Sequence, residues 1–418
     1  MNPAHTYNTI IIGGGAAGFA AASFMSAKTK KLIIEKNQTP MKKLAITGKG
    51  RCNLTNNCDI ETVLCNIPKN SRFMQSSLAA FSSLDTMAFF DNSEPWGVSL
   101  KTERGGRVFP VSDKSSDILN VLKKACNAEV IAAQATELLI EDNVVKGVKC
   151  SGGGTYYAEN VIVATGGMSY PNTGSTGDGY KFARQAGHTI TPLKPALVPL
   201  ETAEKCCCDM AGLSLKNVKL TLKRNNKPVY SEQGEMLFTH FGVSGPLVLT
   251  ASCYMADDFA ESNYTLSIDL KPALDEKTLD DRILRDFSKN KNKHLKNALS
   301  ELLPQSMIPA FLERLGDSLS DKLVCEVSKE ERRKLLMLFK DFSLTVTAFR
   351  PIAEAVITDG GVSVKELNPK TMESKLVKGL YFVGEVIDVM GFTGGFNLQI
   401  AFSTAYAAAV ACDAVTGD

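Results

Sequence analysis

Gly13, Gly15 and Gly18 stand in the order G-x-G-x-x-G, with Ala16 and Ala17 before the third glycine. Glu35 follows seventeen residues after Gly18. This spacing suits a pyrophosphate. Gly13 permits a tight turn, Gly15 lets the backbone approach phosphate oxygens, and Gly18 lets a helix pack closely on a strand. The helix that opens here offers free N–H groups and a partial positive charge to an anion. Glu35 can accept hydrogen bonds from both hydroxyls of a ribose. A glycine triplet alone is a weak sign; one framed by a strand, a helix and an acid at this distance is a strong one.

The surrounding elements supply that frame. Asn8–Ile12 (NTIII) reads as a buried parallel strand, Phe19–Ala27 as a small apolar helix, and Lys31–Glu35 (KLIIE) as a second strand ending in the acid. Ser115–Ala125 has helical periodicity. Ala133–Ile140, Val144–Cys150 and Thr155–Ala158 read as a meander, and Asn160–Ala164 as a separate buried strand entering Thr165, Gly166 and Gly167. Near the other end, Gly379–Gly384 (GLYFVG) is a strand followed by Glu385. Gly394, Gly395 and Asn397 then open an Ala-rich helix, whose stretch Ile400–Val415 is interrupted by Ser403, Thr404 and Tyr406 and suits a buried helix. A cofactor reaching from the first glycine turn to this second clamp is longer than a nicotinamide enzyme needs, so the pattern favours FAD. An acid at Glu385 suits ribityl or ribose hydroxyls. A helix dipole near Asn397 suits the charge that develops on a reduced flavin.

The middle of the chain is different. Three prolines fall within Thr191–Pro199, and Leu215–Leu222, Lys227–Tyr230, Glu235–Phe238 and Tyr264–Leu270 read as antiparallel strands. From Asp275 to Asp341 there are 14 Lys/Arg, 13 Asp/Glu and one glycine, with apolar residues at helical spacing. The expected order is an FAD domain over 1–190, a β-rich insert over 191–274, a helical subdomain over 275–341, returning strands over 342–357 and the end of the FAD domain over 358–418. The fold class is α/β: a Rossmann-like FAD-binding domain with β-barrel-like and small α-helical insertions.

Composition narrows the function classes. The 418 residues carry 47 Lys+Arg against 45 Asp+Glu, a net charge of +2, which gives no support to broad nucleic-acid or anionic-membrane binding. The lysines of Lys289–Lys296 read as a solvated helix face. Eleven cysteines without regular spacing, and an N-terminus without the pattern of a cleaved leader, point to free thiols in a reducing cytoplasm. No Cys-x-x-Cys exists to serve a flavin–disulfide relay. Cys206-Cys207-Cys208 reads as an extended run whose adjacent thiols point to opposite faces, so no metal is expected there. Arg51 can neutralise a pyrophosphate or carry a substrate acid. Cys52 beside it is either a thiol of lowered pKa or a packed core residue. Asn53 can cap a turn or bind backbone. His240, one of four histidines, is the candidate acid/base.

Gly13–Gly18, Thr47–Asn56 (TGKGRCNLTN), Val163–Gly167, Phe238–Leu249 (FTHFGVSGPLVL), Pro369–Ser374 (PKTMES) and Gly384–Gln399 (GEVIDVMGFTGGFNLQ) together resemble the bacterial NAD(P)/FAD-dependent oxidoreductases of the BaiN/YhiN type. That group includes a bile-acid 4,6-reductase and the so-called aminoacetone oxidase family. The resemblance implies a two-dinucleotide-binding-domain flavoprotein fold with the FAD domain built from both chain ends. It implies FAD contacts from Gly13 to Gly18, Glu35, Lys36, Lys43, Arg51, Cys52, Asn53, Ala135, Thr165, Gly166, Gly167, Gly384, Glu385, Gly394, Gly395, Asn397, Leu398, Gln399 and Ile400. Lys49 departs from it, standing where the family often has another glycine. Glu385 stands where more distant flavoproteins carry Asp.

The expected activity is hydride transfer through flavin N5, with NAD(P)H as a transient co-substrate reducing an unsaturated or carbonyl-type small molecule. Two alternatives stay open here: an oxidase of a small amine or amino ketone that uses O₂, and a flavin-bound RNA-associated or redox-sensing protein with little turnover.

Overall fold

A computed structural model describes residues 6–91, 95–316, 319 and 321–416. Residues 1–5, the start of the leader reading, lie outside them, as do 317, 318 and 320 of the helical segment. The chain divides into two compact units: Met1–Ala196 with Ile352–Asp418, and Leu197–Pro351.

The first unit begins with β1 (Thr6–Ile12), α1 (Ala16–Phe24) and β2 (Lys31–Glu35), a β–turn–α–β unit with β1 and β2 parallel. After it come α2 (Lys42–Gly50), β3 (Glu129–Ala132), β4 (Ala135–Glu141), β5 (Val144–Cys150), β6 (Thr155–Val163) and α3 (Asp178–Gln185). The main sheet runs β3-β2-β1-β6-β5-β4. β6 corrects the sequence reading, which split it at Glu159. Its first residues pair antiparallel with β5, while Val161–Val163 are fully buried and pair parallel with β1. One strand thus passes from a half-exposed meander into a covered parallel sheet, and its residue pattern changes midway for that reason.

The second unit is a closed six-stranded barrel with helices. Its elements are β7 (Leu200–Thr202), α4 (Cys206–Asp209), β8 (Ser214–Arg224), β9 (Lys227–Thr239), β10 (Gly242–Ser244), β11 (Tyr264–Asp269), α5 (Glu276–Lys289), α6 (Ile308–Leu315), α7 (Lys329–Lys340) and β12 (Phe342–Phe349). The barrel order is β7-β10-β9-β8-β11-β12, closed by β12 on β7. β9 joins the two expected strands Lys227–Tyr230 and Glu235–Phe238, because the polar Ser231–Gly234 between them still pairs with β8. The helices share one core with the barrel: Leu279, Phe311 and Phe339 pack in the same cluster as Leu220, Phe238 and Leu344. Cys206–Cys208 are helical, not extended.

The chain returns to the first unit with β13 (Leu380–Phe382), parallel to β6, and α8 (Phe396–Thr416). α8 is long and apolar enough to cross a membrane by composition. Phe402, Ala405, Ala408, Ala409 and Cys412 are nevertheless buried in this unit's own core beside Ala20, Ala21 and Ala22 of α1. The small side chains of both helices let the two chain ends pack closely, and Asp413 ties them further by accepting from Thr29 Oγ1 at 2.6 Å.

Candidate functional site

An open cleft in the first unit has an empty volume of about 1360 Å³, counted out to its mouth. β1 leads into it at Gly13, whose φ of +108° and contact with the Ala164 carbonyl leave no room for a Cβ. Gly15 has open space above it, where an added Cβ would come no nearer than 4.0 Å to the Ala164 carbonyl oxygen, and it caps α1 without any side-chain bond. The first N–H groups of α1 therefore face the cleft with no side-chain cap. Gly18 lies one turn deeper, outside the lining, where an added Cβ would stand 2.0 Å from the Gly13 carbonyl oxygen.

Two acids anchor the cleft. Glu35 Oε2 accepts from the Gly14 N–H at 2.7 Å, and Oε1 accepts from the Asn37 N–H and Nδ2, both at 2.8 Å. Glu385 Oε1 accepts from Ser169 Oγ and the Thr358 N–H, both at 3.0 Å, and Oε2 accepts from Lys43 Nζ at 2.7 Å. A carboxylate has about four lone-pair positions. Each acid thus spends three on its own chain, which fixes its orientation, and keeps one for a hydroxyl. Lys43 also donates to Ser169 Oγ at 2.7 Å. Lys36 pairs with Asp178 at 2.6 Å. Burial is the strongest single influence and works against the Asp178 charge, but the hydrogen bond and charge of Lys36, with hydrogen bonds from Lys181 and Thr176, together outweigh it and hold the carboxyl below its usual range.

Of the residues expected from sequence, Gly13, Gly15, Ala16, Ala17, Glu35, Lys36, Lys43, Ala135, Thr165, Gly166, Glu385, Asn397, Leu398 and Ile400 line the cleft. Arg51, Cys52 and Asn53 do not. The Arg51 guanidinium makes a two-pronged pair with Glu103 (2.9 and 3.0 Å), meets Asp113 at 3.1 Å and lies 4.0 Å over the Phe109 ring. Its charge is already answered by two carboxylates, which corrects the phosphate-binding role read for it. Cys52 is fully buried, and burial pushes its thiol up to about 12, so it is a packed core residue. The Asn53 amide spans Thr55 and Gly395.

Gly167, Gly384, Gly394, Gly395 and Gln399 also lie outside the lining and shape it from behind. Gln399 is buried and accepts from Thr55 Oγ1 (2.6 Å) and Thr86 Oγ1 (2.8 Å). Asn397 exchanges two 2.7 Å bonds with the Gly391 backbone and so pins the loop before α8. Lys49 stands at φ +59°, a left-handed conformation that costs a non-glycine residue roughly 1–2 kcal/mol. That explains why glycine suits this position. His240 belongs to the second unit, is exposed in the turn between β9 and β10, and packs edge-on to Phe241.

The sequence reading missed Asn37, Met41, Thr47, Ser175 and Asp178 in the lining. Asp178 was not legible, because its partner Lys36 is 142 residues away.

These features fit a dinucleotide: an uncapped helix N-terminus under open space at Gly15, two oriented acids each with a remaining acceptor, and a cation at Lys43. The fold and cleft therefore define a flavoprotein with a Rossmann-like FAD-binding domain. Residues 7–411 match the family described as HI0933-like protein Rossmann domain, and the chain belongs to that family. It is an FAD-dependent oxidoreductase. It is 32% identical over 407 residues to a ribosomal RNA dihydrouridine synthase of Escherichia coli, covering 96% of this chain and 97% of that one. It is 29% identical over 408 residues to a 3-dehydro-bile acid delta(4,6)-reductase of Clostridium scindens, covering 95% and 97%. A solved 3-ketosteroid delta1-dehydrogenase from Sterolibacterium denitrificans shares the fold, with a TM-score of 0.51 at 13% identity over 98% of this chain and all of that one.

Proposed function

We propose that this oxidoreductase saturates a carbon–carbon double bond conjugated to a carbonyl, with NAD(P)H as reductant and a uridine of ribosomal RNA as substrate. The observation that carries this reading is end-to-end similarity to proteins named for two such reductions. Making dihydrouridine adds two hydrogens across the uracil double bond beside its carbonyl. A delta(4,6)-reductase acting on a 3-dehydro bile acid removes double bonds conjugated to a ring ketone. Their common chemistry is delivery of a hydride to the far carbon of an enone and a proton to the near one. The RNA reading is favoured by the E. coli relative and by a second synthase of the same name, from Haemophilus influenzae, at 31% identity over 96% of this chain. A small cyclic enone is the second reading, favoured by the C. scindens relative.

FAD, when bound, supplies a centre that takes a hydride from a nicotinamide and passes it to an acceptor. The chain's own residues do the holding. The first turn of α1 meets the pyrophosphate charge. Glu35 and Glu385, each locked by three internal bonds, offer one acceptor apiece to hydroxyls. Lys43 pairs with Glu385 and fixes its orientation, and Asn397 keeps the loop before α8 in place. The chain's near-zero net charge implies that an RNA substrate is gripped through local contacts and not through a broad electrostatic field. All eleven cysteines are free thiols, which fits work in the reducing cytoplasm.

The test is anaerobic. Purified yellow protein is mixed with NADH or NADPH, then with ribosomal RNA lacking dihydrouridine or with a steroid dienone. The flavin should bleach with a nicotinamide, regain colour with RNA, and leave RNA nucleosides 2 Da heavier. Recovery with the dienone alone would move the assignment to the second reading. Bleaching by a small amine and by neither nicotinamide would overturn both and favour the oxidase.

A further inference from the structure

The cysteine run of the second unit has no part in the cleft, yet its surroundings are built for thiol chemistry. Cys206 and Cys207 open α4, with only 8% and 1% of their surfaces exposed, while Cys208 is exposed. The two buried thiols belong to adjacent residues, and each shifts the acidity of the other. Arg314, from α6, brings Nη2 to 3.8 Å from Cys206 Sγ. Its guanidinium is held in place by the Ser343 carbonyl and lies 3.9 Å over the Phe342 ring. Thr202 Oγ1 donates to Cys207 Sγ at 3.3 Å. The other charge affecting Cys206 is Glu204, whose carboxylate is occupied by the Thr345 N–H at 2.9 and 3.0 Å.

The two thiols are driven apart in acidity. The neighbouring Cys207 thiol lowers Cys206 most; burial opposes this and the Arg314 charge adds to it, so the Cys206 thiol lies well below its usual range. Cys206 in turn raises Cys207, and burial raises it further. A thiolate beside a fixed arginine, with a protonated thiol next to it, is the arrangement of an attacking and a resolving cysteine.

We propose that Cys206 and Cys207 form a peroxide-reactive dithiol that closes into a disulfide between adjacent residues. The Cys206 thiolate attacks hydrogen peroxide: an S–O bond forms, the O–O bond breaks, and the leaving hydroxide takes a proton to become water. Cys207 Sγ then attacks the oxidised Cys206 sulfur: an S–S bond forms, the S–O bond breaks, and a second water leaves with the Cys207 proton. Two electrons pass from the dithiol to the peroxide. Successive side chains on a helix point about 100° apart, so the closed ring requires α4 to unwind. It also removes the sulfur charge that faces Arg314 and so weakens the contact between α4 and α6 within this unit.

The test uses full-length, FAD-loaded protein purified under reduction. Alkylation by iodoacetamide is followed against pH by mass spectrometry of the tryptic peptide Cys206–Lys216. Cys206 should be modified with a midpoint well under the ~8.5 of an ordinary thiol, and one equivalent of peroxide should lower the peptide mass by 2 Da through a Cys206–Cys207 bond. Arg314→Gln should move the midpoint up and slow oxidation at pH 7 roughly tenfold or more. Cys208→Ser should change neither. An ordinary midpoint in the unaltered protein, a disulfide that includes Cys208, or oxidation of exposed Cys65 and Cys325 ahead of this pair would overturn the proposal, and none of these readings depends on a variant that folds.

Discussion

Leu197–Pro351 contains five of the 32 glycines, and the unit built from the two chain ends contains the others. The difference follows from what each backbone must do. In the first unit the backbone itself lines the cleft at Gly13–Gly15 and Thr165–Gly166, where side chains would block a ligand's approach. In the second unit strands close on themselves as a barrel, α5 and α7 carry the charges outside, and ladder bonds satisfy the backbone. The first unit keeps acceptors and N–H groups in reserve. Binding capacity in this protein is backbone and carboxylate capacity deliberately left unfilled by the fold.

Removing the close approach at α1 should give the largest effect. Gly18→Val puts a branched side chain where even a Cβ would stand 2.0 Å from the Gly13 carbonyl. The variant should purify colourless, or unfold well below the parent in thermal melts, since overpacking of this kind costs roughly 1–3 kcal/mol or more. A yellow, stable Gly18→Val protein would break the contrast between the units.

A medium effect is expected at the second acid. Glu385→Gln keeps the shape but leaves Lys43 without its anion, and it replaces an acceptor for Ser169 or Thr358 by a donor. FAD affinity should fall roughly tenfold, about 1.4 kcal/mol, read by fluorescence titration of the refolded apoprotein. The same exchange at Glu201 of the second unit, whose partner is Arg350 at a surface pair, should leave FAD affinity unchanged. Equal losses at both positions would show that the effect is general destabilisation.

The smallest effect concerns His188, buried in the first unit between Glu366 Oε2 (3.1 Å) and Ser374 Oγ (2.7 Å). Burial lowers its pKa, with the Glu366 interaction opposing. The folded state therefore resists protonation more than the unfolded chain does. Stability is full above the unfolded value of about 6.5 and is lost as pH falls below it toward the folded value. Thermal melts should shift down between pH 7 and pH 5.5, and His188→Gln should flatten that shift while costing about 1–3 kcal/mol at pH 7 from unpaired buried groups. A parent melt that does not change over this range would remove His188 from the account.

Much of this protein follows from its sequence alone. The glycine turn, the short strands at its sides and the acid seventeen residues on are local features, so their spacing already dictates a β–α–β unit of the kind suited to a pyrophosphate, with Glu385 and Asn397 placed to line the same cleft. Periodicity places the helix at Ser115–Ala125 with its observed limits. Tertiary structure alone decided whether a charged or polar residue points at a ligand or at its own chain. Arg51 turned to Glu103 and Asp113, Gln399 to Thr55 and Thr86, and Lys36 to Asp178, each through partners dozens to hundreds of residues away. It also made β6 and β9 single strands and the cysteine run a helix. The physical reason is range: turns and helix starts depend on residues a few positions apart, whereas the partner of a side chain depends on which distant segments the folded core brings beside it.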